Sequence, residues 1–384
     1  MKNPPLLVFA DDWDRHPSSC QHLVRQLLDC FDVTWVNTIG TRAPKLDLAT
    51  LRRGFGKIRQ WFHKRTAQIS SVSANPTVLN PRMWPWFTRQ LDRRINHTLL
   101  RRSLLAQIEA MPEPPIAITT LPIVADLMKE LPVRSWVYYC VDDFSKWPGL
   151  DRKTMGRMES TVVQAADTLI AVSENLQQRL WRMGRSSTLL THGVDVGFWS
   201  QQAVLEKARA SRANVVFWGV IDRRMDAGFV RQLALDLKEG NILLAGPEQE
   251  SDPMLRKLPH THHLGSVPFS QLPELARQSA VLVMPYADLP VTRAMQPLKL
   301  KEYLATGLPV VVRNLPANRE WADCLDLVDT PEGFSAMVRL RQRTGLPESQ
   351  RGARQRLSAE SWDSKAARFA DLILSSGRPL AKHA

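Results

Sequence analysis

Short apolar runs recur along this chain, and the stretches between them carry their apolar residues at helical spacing. Leu6-Leu-Val-Phe-Ala10 is a continuous apolar run, the pattern of a strand covered on both faces. The spacing that follows predicts a helix from about Ser18 to Cys30, and Asp32-Val-Thr-Trp-Val-Asn37 then reads as a second strand. Ile116–Thr119, Ser135–Cys140 and Thr168–Val172 read as further strands with helical segments between them. That alternation predicts a largely parallel α/β sheet. The pattern then restarts with apolar runs at Asn214–Gly219, Asn241–Gly246, Ala280–Met284 and Leu308–Val312. The polar stretch from Ser200 to Ala213 separates the two series.

The expected fold class is therefore α/β, with two Rossmann-like α/β/α domains facing a central cleft. The expected boundaries are 1–200 for the N-terminal domain, 214–357 for the C-terminal domain and 358–377 for a last helix. A chain of 384 residues suits two such cores. A cleft between domains, at strand ends, is the usual place for a ligand in this architecture.

Composition narrows the picture. The chain is 44% hydrophobic and 23% charged, a globular profile. No apolar run reaches the roughly 18 residues of a membrane span. Asp11 and Asp12 end the first apolar run too early for a signal peptide, so a cytoplasmic location is expected. Cys20, Cys30, Cys140 and Cys324 form no CxxC pair, which argues for buried free thiols over disulfides or a zinc site.

The net charge of +13 is unevenly spread. Between Arg42 and Arg102 stand fourteen Lys and Arg against only Asp47 and Asp92. Such a segment attracts anionic membrane, nucleic acid or a lipid diphosphate. Within it, Phe55, Ile58, Trp61 and Phe62 share one helical face and are ringed by Arg52, Arg53 and Lys57. That arrangement suits a helix lying in a membrane interface, or one packing its aromatic face on the domain. Arg52, Arg53, Lys57, Trp61 and Phe62 are the candidate acceptor-side or membrane-side residues. Nucleic-acid binding is the less favoured use of the segment, because no recognition module accompanies it.

Candidate chemistry concentrates in the second half. Gly219 follows a strand directly and precedes Arg223 and Arg224. A glycine there lets backbone approach a ligand, and arginine offers a planar fork to phosphate oxygens. Gly246 and Gly265 end further strands in Ala-Gly-Pro and Leu-Gly-Ser-Val-Pro. In Gln296-Pro-Leu-Lys-Leu-Lys-Glu302, Pro297 and Leu298 suit a helix start, whose free N–H groups and positive dipole end favour phosphate. Lys299 lies in that turn. Glu302, three residues on, has a carboxylate able to accept both hydroxyls of a ribose; the alternative is a surface ion pair with Lys299. In the first half, Asp142 and Asp143 end a strand at the cleft. A carboxylate there can accept a hydrogen bond from a substrate hydroxyl or stabilise positive charge developing on a substrate. The alternative is a cap and a local ion pair.

The ordered set of motifs resembles a family. The set runs strand-Gly-x-x-x-x-Arg, Ala-Gly-Pro, Leu-Gly-x-Val-Pro, Met-Pro-Tyr, then Pro-Leu-Lys-x-x-Glu-Tyr-Leu-Ala-x-Gly-x-Pro-Val-Val. It is similar to the C-terminal domain of GT-B glycosyltransferases of the family 4 (group 1) kind, in particular bacterial teichuronic-acid and exopolysaccharide members. Tyr138–Ser145, Glu159 ahead of Ala166–Ser173, His192-Gly-Val-Asp195 and Ser361-Trp362 extend the resemblance over most of the chain.

The resemblance implies retaining, metal-independent transfer from a UDP- or GDP-sugar to a lipid-linked or polysaccharide acceptor, with no cofactor. It places the chain in cell-surface polysaccharide synthesis, peripheral at the inner membrane face. It also implies that the last helix crosses back to the N-terminal domain. Glu302 would hold the donor ribose, while Arg224, Arg223 and Lys299 neutralise the diphosphate beside Pro297 and Leu298. Gly246 and Gly265 would flank the nucleotide. Three departures stand out. Ala294 occupies the position, eight before Glu302, where many relatives carry a first glutamate; a non-catalytic binding or scaffold protein is the alternative it admits. Asp11-Asp12-Trp13 replaces a glycine-rich loop, and His192 stands where many relatives have Asn.

Overall fold

The computed structural model describes residues 3–14, 18–38, 75–147, 150–200 and 213–376. Arg52, Arg53, Lys57, Trp61 and Phe62 lie outside the described residues.

The first half forms β1 (Leu6–Ala10), α1 (Ser19–Leu27), β2 (Val33–Asn37), β3 (Thr77–Leu79), α2 (Gln90–Glu109), β4 (Ile116–Thr119) and β5 (Ser135–Cys140). It continues through α3 (Arg152–Ala165), β6 (Thr168–Ala171), α4 (Glu174–Arg182) and β7 (Thr188–Leu189). The seven strands make one parallel sheet in the order β3-β2-β1-β4-β5-β6-β7. The apolar runs predicted five of these strands and their parallel arrangement, and β3 and β7 add to them. β1, β4 and β5 are buried at every position because helices cover both faces.

The second half repeats the plan with β8 (Val215–Trp218), α5 (Ala227–Asp236), β9 (Ile242–Ala245), β10 (Thr261–Gly265) and β11 (Val281–Met284). There follow α6 (Pro290–Ala294), α7 (Leu298–Ala305), β12 (Val310–Arg313), β13 (Asp326–Val328), α8 (Pro331–Thr344) and α9 (Trp362–Leu374). The sheet order is β10-β9-β8-β11-β12-β13, again parallel.

In both sheets the strand order reverses beside the first strand, between β1 and β4 and between β8 and β11. The loops leaving those strands splay apart at such a point and open a crevice. They carry Asp11 and Asp12 in the first domain and Gly219 and Tyr286 in the second.

The helix α9 belongs to the second half in sequence and to the first in packing. Ser361 caps it by accepting from the Ser364 N–H, and Trp362, Ala366, Phe369 and Ile373 join the N-terminal core. His22 of α1 stacks on Trp362 with ring centroids 4.6 Å apart. Burial, followed by the nearby Arg25 charge, lowers the His22 pKa to about 4. The ring is a neutral packing group at physiological pH.

Cys20, Cys140 and Cys324 are buried free thiols as expected, but Cys30 is exposed. It lies in the turn after α1, where nothing packs over it. Among the described residues no helix is long and apolar enough to cross a membrane, and no cluster of His, Cys, Asp or Glu is suited to a metal.

Candidate functional site

The C-terminal crevice is built from β8 outward. Phe217 and Trp218 are buried in the strand, and Gly219 turns out of it at φ 132°. A side chain there would meet the Lys299 ammonium, with a Cβ only 2.0 Å from Nζ. Gly246, at φ 150°, lies closer still to its neighbour: a Cβ would sit 1.9 Å from the Gly219 carbonyl oxygen. The chain is fixed there by Gly219 N–H donating to Ala245 O at 2.8 Å and Gly246 N–H donating to Gly265 O at 2.7 Å. The two strand-end loops can therefore touch because Gly246 carries no side chain, while the bare Gly219 makes space for Lys299. Gly246→Ala is expected to cost at least about 3 kcal/mol of stability through backbone clash and positive-φ strain, read from urea unfolding. Wild-type stability in that variant would show that the two loops do not pack this closely.

Lys299 lies in the first turn of α7, which begins one residue later than predicted, with Pro297 as the cap and Leu298 as the first helical residue. Its Nζ donates to the Tyr286 hydroxyl at 2.7 Å and sits 4.5 Å from the Phe217 ring centroid. The surface ion pair between Lys299 and Glu302 does not form. Glu302 turns instead to Trp218, whose indole Nε1 donates to Oε2 at 3.2 Å. Burial raises the Glu302 pKa to about 7, against the opposing pull of the Trp218 hydrogen bond and the Lys299 charge. Trp218 is itself clamped. Its ring stacks on Trp199 at 5.4 Å and meets Tyr303 edge-on at 4.2 Å, and its backbone N–H donates to the Tyr303 hydroxyl at 3.0 Å. One Glu302 oxygen is thus held in place while Oε1 accepts no hydrogen bond within the protein.

The two arginines after Gly219 part company. Arg224 is buried and held by Asp222, with Nε donating at 3.0 Å to Oδ1 and an Nη2–Oδ2 pair at 2.9 Å. Its guanidinium lies 4.6 Å over the Trp147 ring, contributed by the N-terminal domain, and 6.0 Å from the Tyr286 ring. Arg223 points outward, 65% exposed, and pairs with Glu250 at 3.5 Å. Gly265 stands beyond Gly246 at φ 67° with open space around it.

The two aspartates also differ. Asp143 is buried and committed, pairing with Arg179 at 2.9 Å and Lys146 at 3.1 Å. Arg179 also reaches Glu159 at 2.7 Å, and Tyr138 donates its hydroxyl proton to the same carboxylate at 3.2 Å. Burial raises the Glu159 pKa to about 7 despite Arg179. This network locks the end of β5. Asp142 faces across the cleft. Burial raises its pKa to about 7, with the Arg224 charge pulling it down and Asp11 pushing it up.

Other residues that sequence reasoning did not single out hold the two domains together. Asn175 donates to the Arg293 carbonyl at 2.6 Å, and Ser173 donates to the Ala294 carbonyl at 3.3 Å. The departure at Ala294 therefore coincides with a backbone contact to the N-terminal domain. Lys301 is 2% exposed and donates to His192 O at 2.6 Å while pairing with Glu360 just ahead of α9. Burial, then the Lys301 charge, lowers the His192 pKa to about 3, so that histidine stays neutral.

Residues 212–339 match the family described as glycosyl transferases group 1. That match lies within the second half of the chain. Over 178 residues the chain is 28% identical to a Bacillus subtilis (strain 168) protein, TuaH, named as a teichuronic acid biosynthesis glycosyltransferase. That match covers 43% of this chain and 45% of the relative, under half the length of each. Among solved structures, sucrose-phosphate synthase from Thermosynechococcus elongatus is 14% identical with a TM-score of 0.71, over 96% of this chain and 98% of that one. Anabaena HepE, solved with UDP and glucose, is 12% identical with a TM-score of 0.66, over 97% of this chain and all of that one (100%). The fold is GT-B. In the C-terminal domain, Gly219, Arg224, Lys299 and Glu302 converge on one crevice with Tyr286 and Trp218, and Arg223 lies outside it.

Proposed function

We propose that this chain moves a sugar from a nucleotide-diphosphate donor to a lipid-linked or polysaccharide acceptor in cell-surface polysaccharide synthesis. The observation that carries the reading is the pairing of Arg224 and Lys299 around Tyr286, beside a carboxylate at Glu302. The donor diphosphate would lie between the two cations and the first turn of α7, which neutralise the charge that grows as the sugar bond breaks. Glu302 Oε1 would accept from a ribose hydroxyl while Trp218 fixes Oε2. Gly219 would let the Lys299 ammonium lie against the loop after β8, and Gly246 would let the two loops beside the nucleotide pack together. Asp142, opposite Arg224, would accept the acceptor hydroxyl proton or stabilise the sugar cation. Transfer with retention and without a metal belongs to the same proposal, as does a site of action at the cytoplasmic membrane face.

Calorimetric titration of the full chain with UDP- and GDP-sugars tests the donor site, and binding of neither would end it. The pH dependence has a definite sign. Ribose hydroxyls favour the ionised Glu302, whose pKa is raised to about 7 in the free protein. Affinity should therefore rise between pH 6 and pH 8, by up to about tenfold, and the rise should vanish in Glu302→Gln. An equally steep pH profile in Glu302→Gln would assign the titration to another group.

A further inference from the structure

Of the large apolar side chains exposed among the described residues, Val78, Trp84 and Leu91 fall within one short stretch between β3 and α2. Trp84 is 40% exposed and Leu91 is 68% exposed. The exposure of Trp84 is built in. Its backbone N–H donates to Asn96 Oδ1 at 2.6 Å, and Asn96 donates back to the carbonyls of Trp84 at 3.0 Å and Trp86 at 2.8 Å. Its indole N–H donates to Asp92 at 3.0 Å. The segment is thereby strapped across the start of α2, and the Trp84 indole, with its ring centroid 4.9 Å from that of Trp86, stays partly exposed. Leu91, Arg94, Thr98 and Arg101 follow at helical spacing on one exposed face of α2.

The charges around this face are one-sided. Arg82, Arg89, Arg94 and Arg102 are exposed, and none has an acidic side-chain partner among the described residues. The nearby acids are already engaged. Asp92 accepts from the Trp84 indole and the Arg89 backbone, Asp126 pairs with Arg93, and Glu130 pairs with Arg101 and His97 at 3.0 Å each.

We propose that this face seats the N-terminal domain on an anionic lipid surface. Trp84 and Leu91 enter the headgroup region, and Arg82, Arg89 and Arg94 meet lipid phosphates. An indole with a polar edge and an apolar face suits that depth, and each arginine adds favourable surface electrostatics. Leu91 favours lipid over nucleic acid, because an exposed leucine gains nothing from a phosphate backbone. The placement fits the chemistry of the site. All strands of a parallel sheet end at one edge, so the stretch after β3 shares its edge with Asp142 after β5. Four strand spacings separate them, about 19 Å. A lipid-linked acceptor held in the leaflet would then present its sugar to the cleft. This inference rests on the lipid-linked acceptor reading above.

The test is co-sedimentation of the full chain with phosphatidylglycerol–phosphatidylcholine vesicles against phosphatidylcholine alone. Arg89→Glu with Arg94→Glu should lower the partition coefficient at least about tenfold, and Leu91→Asp severalfold. These side chains are exposed, so circular dichroism and sugar-nucleotide calorimetry should stay at wild-type values. The proposal is overturned if the wild type ignores anionic vesicles or if the variants sediment like wild type. Preference for duplex DNA over anionic vesicles at physiological salt also overturns it. Loss of vesicle binding with intact donor binding separates this inference from the donor-site reading, which calorimetry alone decides.

Discussion

Lys299→Ala is expected to weaken sugar-nucleotide binding by about a hundredfold, read by calorimetry on the full chain. The ammonium is partly sheltered between the Phe217 and Tyr286 rings, with centroids at 4.5 Å and 5.2 Å. Its one hydrogen bond within the protein goes to a neutral hydroxyl, so the charge is left for a ligand to neutralise. Charge-assisted contacts with phosphate in such a site contribute about 1.5–3 kcal/mol, and the upper end corresponds to the stated loss. The substitution removes a side chain at a crevice wall and no core packing, so thermal stability should hold. Affinity unchanged in Lys299→Ala would move the diphosphate elsewhere.

Asp142→Asn should lower kcat by about two to four orders of magnitude with nucleotide affinity nearly unchanged. The amide keeps the shape of the carboxylate but cannot take a proton or carry the charge opposite a developing cation. The neighbouring substitution makes the control. Asp143 anchors Arg179 and Lys146 in a buried network, so Asp143→Asn should act on stability, costing about 3 kcal/mol or more by leaving Arg179 short of its partner. Steady-state kinetics and urea unfolding of the two variants divide the roles. Equal kcat for wild type and Asp142→Asn would remove Asp142 from the chemistry.

Both sheets were legible because their central strands are buried on both faces and so read as unbroken apolar runs. The strands that escaped notice lie at or near sheet edges. β3, β7 and β13 are only three, two and three residues long. None has a run to recognise, and each is held by its neighbour's ladder. The helix-start reading located Lys299 and Glu302, because Pro297 and the following residues announce the turn locally. It could not show that each finds another hydrogen-bond partner, since Tyr286 and Trp218 are brought in by the fold from 13 and 84 residues away. The Gly-x-x-x-x-Arg spacing pointed to Arg224 ahead of Arg223 without a physical reason for the choice. Asp222 decides between them, gripping one guanidinium while the other swings out to Glu250. Asp142 and Asp143 separate in the same way, through an arginine 36 residues downstream of Asp143.

The closing helix α9 has a consequence for synthesis. Phe369 and Ile373, both 0% exposed, complete a core whose other members are made hundreds of residues earlier. During translation the N-terminal sheet must wait, with an apolar groove uncovered, while the whole C-terminal half is produced and folded. The chain therefore closes like a clasp, last residues onto first. Cutting it between the halves would leave one fragment with a bare groove and the other with an orphaned apolar helix, both prone to aggregate.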